Sequence, residues 1–203
     1  MDKLIAAWQA TSNLELVSVV FGLAYVVLAA RGSRWCWPCA FVGTATAVVL
    51  FWDGLLPMEA ALNVYYLAMA VYGWWQWRGG GNNSQSTQVL KITSWDVKQH
   101  VIWVLAVLLL TMASGFLLDR HTQAALPYLD SFTTWSAVIT TWMVTRKILE
   151  NWLYWLLINS ASIYLYLERE FYLYAALFVI YLVIALYGYA QWRTEWRNQN
   201  AHA

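Results

Sequence analysis

From Leu14 to Trp192 the chain is a succession of apolar stretches, each about as long as a bilayer is thick, parted by short polar breaks. A helix rises about 1.5 Å per residue, so roughly 20 such residues cross a hydrocarbon core of about 30 Å. Seven crossings fit, at Leu14 to Ala30, Trp35 to Trp52, Pro57 to Trp77, Val101 to Leu118, Ser131 to Leu149, Glu150 to Leu167 and Phe171 to Trp192. Composition agrees: 61% of residues are hydrophobic and 11% charged, whereas ordinary soluble chains are about a quarter charged. The expected fold class is an all-α integral membrane protein. A net charge of +1 supplies no basic stripe to track phosphates, which excludes nucleic-acid binding. The first residues, Met1 to Asn13, lack the basic start, apolar core and small-residue cleavage site of a signal peptide, so no segment is expected to be removed.

Lys and Arg divide unequally between alternate sides. One side holds Arg31, Arg34, Arg78, Lys91, Lys98, Arg146, Lys147, Arg193 and Arg197; the other holds Lys3, Arg120 and Arg169. Cytoplasmic loops keep the excess, so the N-terminus is expected outside and the C-terminus in the cytoplasm.

The ends of the third and seventh spans are related. Tyr66 to Arg78 reads YLAMAVYGWWQWR and Tyr181 to Arg193 reads YLVIALYGYAQWR, identical at 8 of 13 positions. The same offset of 115 residues, kept ungapped, pairs Trp37 with Trp152, Arg31 with Arg146, and Ala60-Ala61-Leu62 with Ala175-Ala176-Leu177. One transporter domain over 1–203 is therefore expected, with a first three-helix repeat at 14–78, a linker helix at 97–118 and a second repeat at 130–193. An odd helix between the copies makes the repeats parallel, the 3+1+3 arrangement of SWEET-like transporters, whose substrates bind near the bilayer midplane between the repeats.

The most informative stretch is Arg146 to Glu170, RKILENWLYWLLINSASIYLYLERE. Trp152, Trp155 and Asn159 fall at i, i+3 and i+7, one stripe of a helix. Asn159 lies about 13 Å beyond Glu150 at helical rise, near mid-membrane. A buried amide there either bonds a neighbouring helix or contacts a ligand. Aromatic faces on the same stripe favour a flat, cationic ligand. On the third span, Asn63 and Tyr66 offer an amide and a phenol about 9 Å and 13 Å in from Pro57. Thr44 and Thr46, aligned with Asn159 and Ala161, are further cavity candidates, although such hydroxyls commonly bond their own backbone. Trp74, Trp77 and Tyr187 are gate candidates; interfacial anchoring also accounts for the tryptophans. Tyr72-Gly73 and Tyr187-Gly188 permit close packing or bending there.

Other chemistries are discounted. Trp35-Cys36-Trp37-Pro38-Cys39 has the form of a thioredoxin-type redox motif, but that motif requires a βαβ setting. His100, His121 and His202 have no ligand spacing with two cysteines, so no metal and no cofactor are expected, and no catalytic constellation is present. The seventh span has no Lys for a retinal Schiff base. Nearly every charge lies near a membrane edge, which points to uncoupled, facilitated diffusion rather than ion-driven transport.

The chain resembles the PnuC family of vitamin transporters along essentially its whole length. The matching segments are YYLAMAVYGWWQW with Trp74 and Trp77, Asp130-Ser131 through Ser136, and RKILENWLYWLLIN with Trp152, Trp155 and Asn159. The resemblance implies uptake of nicotinamide riboside across the bacterial inner membrane, trapped by cytosolic phosphorylation for NAD synthesis. It also implies a homotrimer without enzymatic activity and carries Trp152, Trp155 and Asn159 over as ligand residues, with Asn151, Asn63 and Tyr66 added. Thiamine and riboflavin are the alternatives within the family, and a vitamin-binding membrane scaffold that moves nothing is the alternative outside it.

Overall fold

The computed structural model describes residues 13–53, 57–78, 90–122, 126–168 and 172–201. Phe171, the N-terminal residues before Asn13 and the polar run 79–89 lie outside them. Seven helices make up the described residues: α1 (Asn13–Ala30), α2 (Cys36–Asp53), α3 (Pro57–Trp77), α4 (Val97–His121), α5 (Pro127–Thr145), α6 (Asn151–Glu168) and α7 (Tyr172–Ala201). They match the seven expected crossings. Four of them, α1, α2, α4 and Tyr174–Ala201 of α7, are long and apolar enough on their own to cross a membrane. The others carry more aromatic, hydroxyl and amide side chains.

The helices group into two compact units, residues 1–90 and 91–203. In the first, α2 packs on both α1 and α3; in the second, α4 packs on α5, α5 on α6 and α6 on α7. The linker helix α4 thus belongs to the unit that contains the second repeat.

Each unit is built around the same buried aromatic pair. Trp37 of α2 meets Trp77 of α3 edge to face, with centroids 5.3 Å apart and planes at 88°. Trp152 of α6 meets Trp192 of α7 at 5.4 Å and 87°. Such edge-to-face pairs contribute about 0.5–1.5 kcal/mol beyond area burial. Both pairs depend on a glycine: a Cβ on Gly73 would enter the Trp37 indole, and one on Gly188 would lie 2.8 Å from that of Trp152. Ala60 and Ala175, and Ala70 and Ala185, are buried in register. The 115-residue offset read from the sequence is therefore a repeat of packing.

The corners before α2 and α6 also repeat, bond for bond. Gly32 N–H donates to Ala29 and Ser33 N–H to Leu28; Lys147 N–H donates to Val144 and Ile148 N–H to Met143. These are Schellman closures, which need a left-handed residue after the helix. Gly32 has φ 68°, and Lys147, at the same place in the second copy, has φ 51°. A side chain in that region costs roughly 1–2 kcal/mol. This corner corrects the expected fifth span: α5 stops at Thr145, not Leu149, because the chain reverses hand at Lys147. Elsewhere α4 begins at Val97, the expected start of the linker helix and four residues ahead of the expected crossing at Val101, fixed by a reciprocal cap between Asp96 and Gln99. Likewise α7 continues past Trp192 to Ala201.

Candidate functional site

The residues singled out by sequence fall into two environments. On α6, Trp152 is 2% exposed and engaged by Gly188 and Trp192, so its ring is a packing element of the second unit. Asn151, fully buried, donates its Nδ2 to the Ile148 carbonyl at 2.6 Å and closes the corner. Its equivalent in the first unit, Cys36, is also fully buried.

Trp155 and Asn159 differ from these. Trp155 is half-buried and makes no ring contact or hydrogen bond among the described residues. Asn159, one helical turn further along the same stripe, is 3% exposed and its amide is likewise without a hydrogen bond there. Position 155 has no aromatic counterpart in the first repeat, where the residue 115 earlier is Ala40. Trp155 is thus not part of the repeated core.

Orphaned polar atoms concentrate in the same unit. Among the described residues, Thr111 Oγ1, Ser131 Oγ, Thr140 Oγ1, Asn151 Oδ1 and Trp152 Nε1 are buried without a partner, against Trp37 Nε1 alone in the first unit. Such groups in a hydrocarbon setting cost several kcal/mol each when left dry. Thr140 is informative: its equivalent, Tyr25, packs its ring on Trp37 at 5.8 Å, whereas the second repeat places a small hydroxyl there. Sequence reading passed over Thr140 and the buried Ser162; the substitution of Tyr25 by Thr140 across the repeat was the available signal.

In the first unit, Asn63 and Tyr66 are half-buried and have partners of their own, Tyr66 with its ring 5.6 Å from that of Tyr65. Thr44 and Thr46 donate to the backbone carbonyls of Ala40 and Val42 at 2.7 and 3.0 Å, the self-satisfied state expected of membrane hydroxyls. Of the gate candidates, Trp77 is buried against Trp37. Trp74 packs on Trp35 at 5.7 Å with the Arg78 guanidinium over its face, and Tyr187 is 50% exposed. Cys36 and Cys39 are free thiols in the first turn of α2, a helical setting rather than a redox fold. Among the described residues no cluster of His, Cys, Asp and Glu could hold a metal.

Three-helix packing that repeats along the chain, with four helices long and apolar enough to cross a membrane, is the architecture of membrane transporters built from parallel repeats. The model of the nicotinamide mononucleotide transporter family matches residues 12–194, and the chain belongs to this family, that of the PnuC vitamin transporters. It is 24% identical to the nicotinamide riboside transporter PnuC of Escherichia coli, over 95% of this chain and 90% of that protein. It is 28% identical to the PnuC of Haemophilus influenzae, over 89% and 79%. It is 26% identical to the riboflavin/roseoflavin transporter RibM of Streptomyces davaonensis, over 88% and 83%. The crystal structure of the vitamin B3 transporter PnuC superposes with a TM-score of 0.74 at 22% identity, covering 97% of this chain and 87% of that one. That likeness establishes the fold.

Proposed function

We propose that this transporter imports nicotinamide riboside by facilitated diffusion, with the Trp155 ring and the Asn159 amide holding the flat pyridinium head. The observation that carries the proposal is their place on one stripe of α6, each without a hydrogen bond or ring contact among the described residues. An aromatic face attracts a planar cation by about 0.5–2 kcal/mol, and a buried amide fixes its orientation through a directed hydrogen bond. Trp152 and Asn151 are the further candidates on α6, and Asn63 and Tyr66 are the candidates of the first repeat. The riboside transporters of E. coli and H. influenzae among the relatives favour this substrate.

Glu15, Asp53, Asp119, Asp130 and Glu168 all stand at or within a turn of a helix end, so these described acids do not form the mid-membrane relays that ion-driven carriers use. Uncoupled flux then needs a sink, which cytosolic phosphorylation of the riboside supplies. We place the protein in the bacterial inner membrane, N-terminus outside and C-terminus in the cytoplasm, from the Lys and Arg asymmetry, and as a homotrimer by its resemblance to the family.

A second reading is riboflavin as substrate, favoured by the relative in S. davaonensis; thiamine, also a flat cation, is the third. Calorimetric titration of the purified protein with nicotinamide riboside, riboflavin and thiamine decides between them. Binding of the riboside alone supports the proposal, and binding of another vitamin alone overturns its substrate while keeping the site.

A further inference from the structure

Segment 90–96, which leads into α4, lies across the α5–α6 corner and is attached residue by residue. Ile92 N–H donates to Gln199 Oε1 of α7 at 3.1 Å. Thr93 forms a parallel bridge with the corner, its N–H on the Lys147 carbonyl at 3.0 Å and its carbonyl taking Leu149 N–H at 2.8 Å. Ser94 Oγ donates to Glu150 Oε1 at 2.5 Å and Trp95 N–H to Glu150 Oε2 at 3.2 Å. The Trp95 ring then stacks on Trp103, centroids 6.0 Å apart, and tilts against Trp142.

Glu150 is where this strap meets α6. Its carbonyl accepts the first helical bonds, from Leu153 and Tyr154, so it is the N-cap of the helix that carries Trp155 and Asn159. An N-cap side chain ordinarily serves its own helix. Here both carboxylate oxygens serve the strap instead. The equivalent in the first repeat is Trp35, an exposed residue with no acid, so the repeat of the corners is broken at this position.

We propose that Glu150 is a positioning residue for ligand binding: through Ser94 and Trp95 it fixes the rotation and depth of α6, and thereby where Trp155 and Asn159 stand, without touching the ligand. This rests on the site proposed above. A binding constellation has to be held to within about 0.5 Å, and helix rotation moves every side chain on its surface. Tethering the N-cap is the economical place to prevent it.

The test uses purified full-length protein carrying Glu150→Ala, Glu150→Gln, Ser94→Ala or the Glu150→Ala/Ser94→Ala pair, with Trp155→Ala alongside. Riboside affinity is read by calorimetry and amide exchange over Ile148–Trp155 by mass spectrometry. The expected result is about a tenfold loss of affinity in Glu150→Ala, a smaller loss in Ser94→Ala and no further loss in the pair, since contacting groups are non-additive. Glu150→Gln, which keeps an acceptor, restores part of the affinity, and exchange rises in step with each loss. If Glu150→Ala fails to fold, Ser94→Ala, which removes one hydroxyl at an exposed position, carries the same comparison. Unchanged exchange and affinity in the Ser94 and Glu150 variants, with affinity lost in Trp155→Ala, would overturn the positioning role and leave the site standing. Normal affinity in Trp155→Ala would remove the site and this proposal with it.

Discussion

Gly188 lies against the face of the Trp152 indole so closely that a Cβ there would stand 2.8 Å from the ring, and Gly73 stands in the same relation to Trp37. Overpacking of this kind typically costs about 1–3 kcal/mol. Gly188→Ala and Gly73→Ala are each expected to lower thermal stability in detergent by that amount, as read by a melting curve.

The corner glycine carries a second prediction. Gly32 occupies the left-handed region at φ 68°, so Gly32→Ala is expected to destabilise the first unit by about 1–2 kcal/mol. Differential scanning of the purified variant measures this directly. Lys147 already bears that cost at φ 51°, and Lys147→Ala is expected to add no backbone strain.

Two tryptophans three residues apart should behave differently. Trp152→Ala empties a buried, glycine-lined slot and is expected to destabilise by about 3 kcal/mol or more. Trp155→Ala removes a half-buried ring that touches no other ring among the described residues. It should leave the melting temperature nearly unchanged and weaken riboside binding at least tenfold, in line with about 1–3 kcal/mol for stacking of a base on an aromatic ring. Paired melting and titration of the two variants checks both.

Asn159→Leu replaces a buried amide that has no hydrogen bond among the described residues. Loss of one ligand hydrogen bond costs about 0.5–1.5 kcal/mol, so affinity should fall several-fold. Stability should hold or rise, because an unpaired polar group has been removed from an apolar setting. Titration and melting on the same sample give the answer.

The membrane spans and the repeat were legible because they depend on length, polarity and register, all local to the chain. The helix stripe also puts Trp152, Trp155 and Asn159 on one side of a helix, but a stripe cannot say which ring is already occupied. That distinction lay in the repeat: Trp152 has Trp37 as its counterpart, and both partners, glycine and tryptophan, recur with it, whereas Trp155 and Asn159 align in sequence with Ala40 and Thr44. The end of α5 was not legible, because a lysine gives no local sign of the left-handed conformation that Gly32 advertises. Nor was the strap, whose bonds from Ile92 to Gln199 and from Ser94 to Glu150 join residues far apart in sequence.

The central claim is that Trp155 forms part of a vitamin pathway while Trp152 holds the bundle together. Uptake of nicotinamide riboside into proteoliposomes, compared between the unaltered protein and Trp155→Ala at equal protein incorporation and with a protonophore present, tests it most directly. The account predicts protonophore-resistant uptake by the unaltered protein and none by the variant. Equal uptake by both, or uptake that collapses with the protonophore, would contradict it.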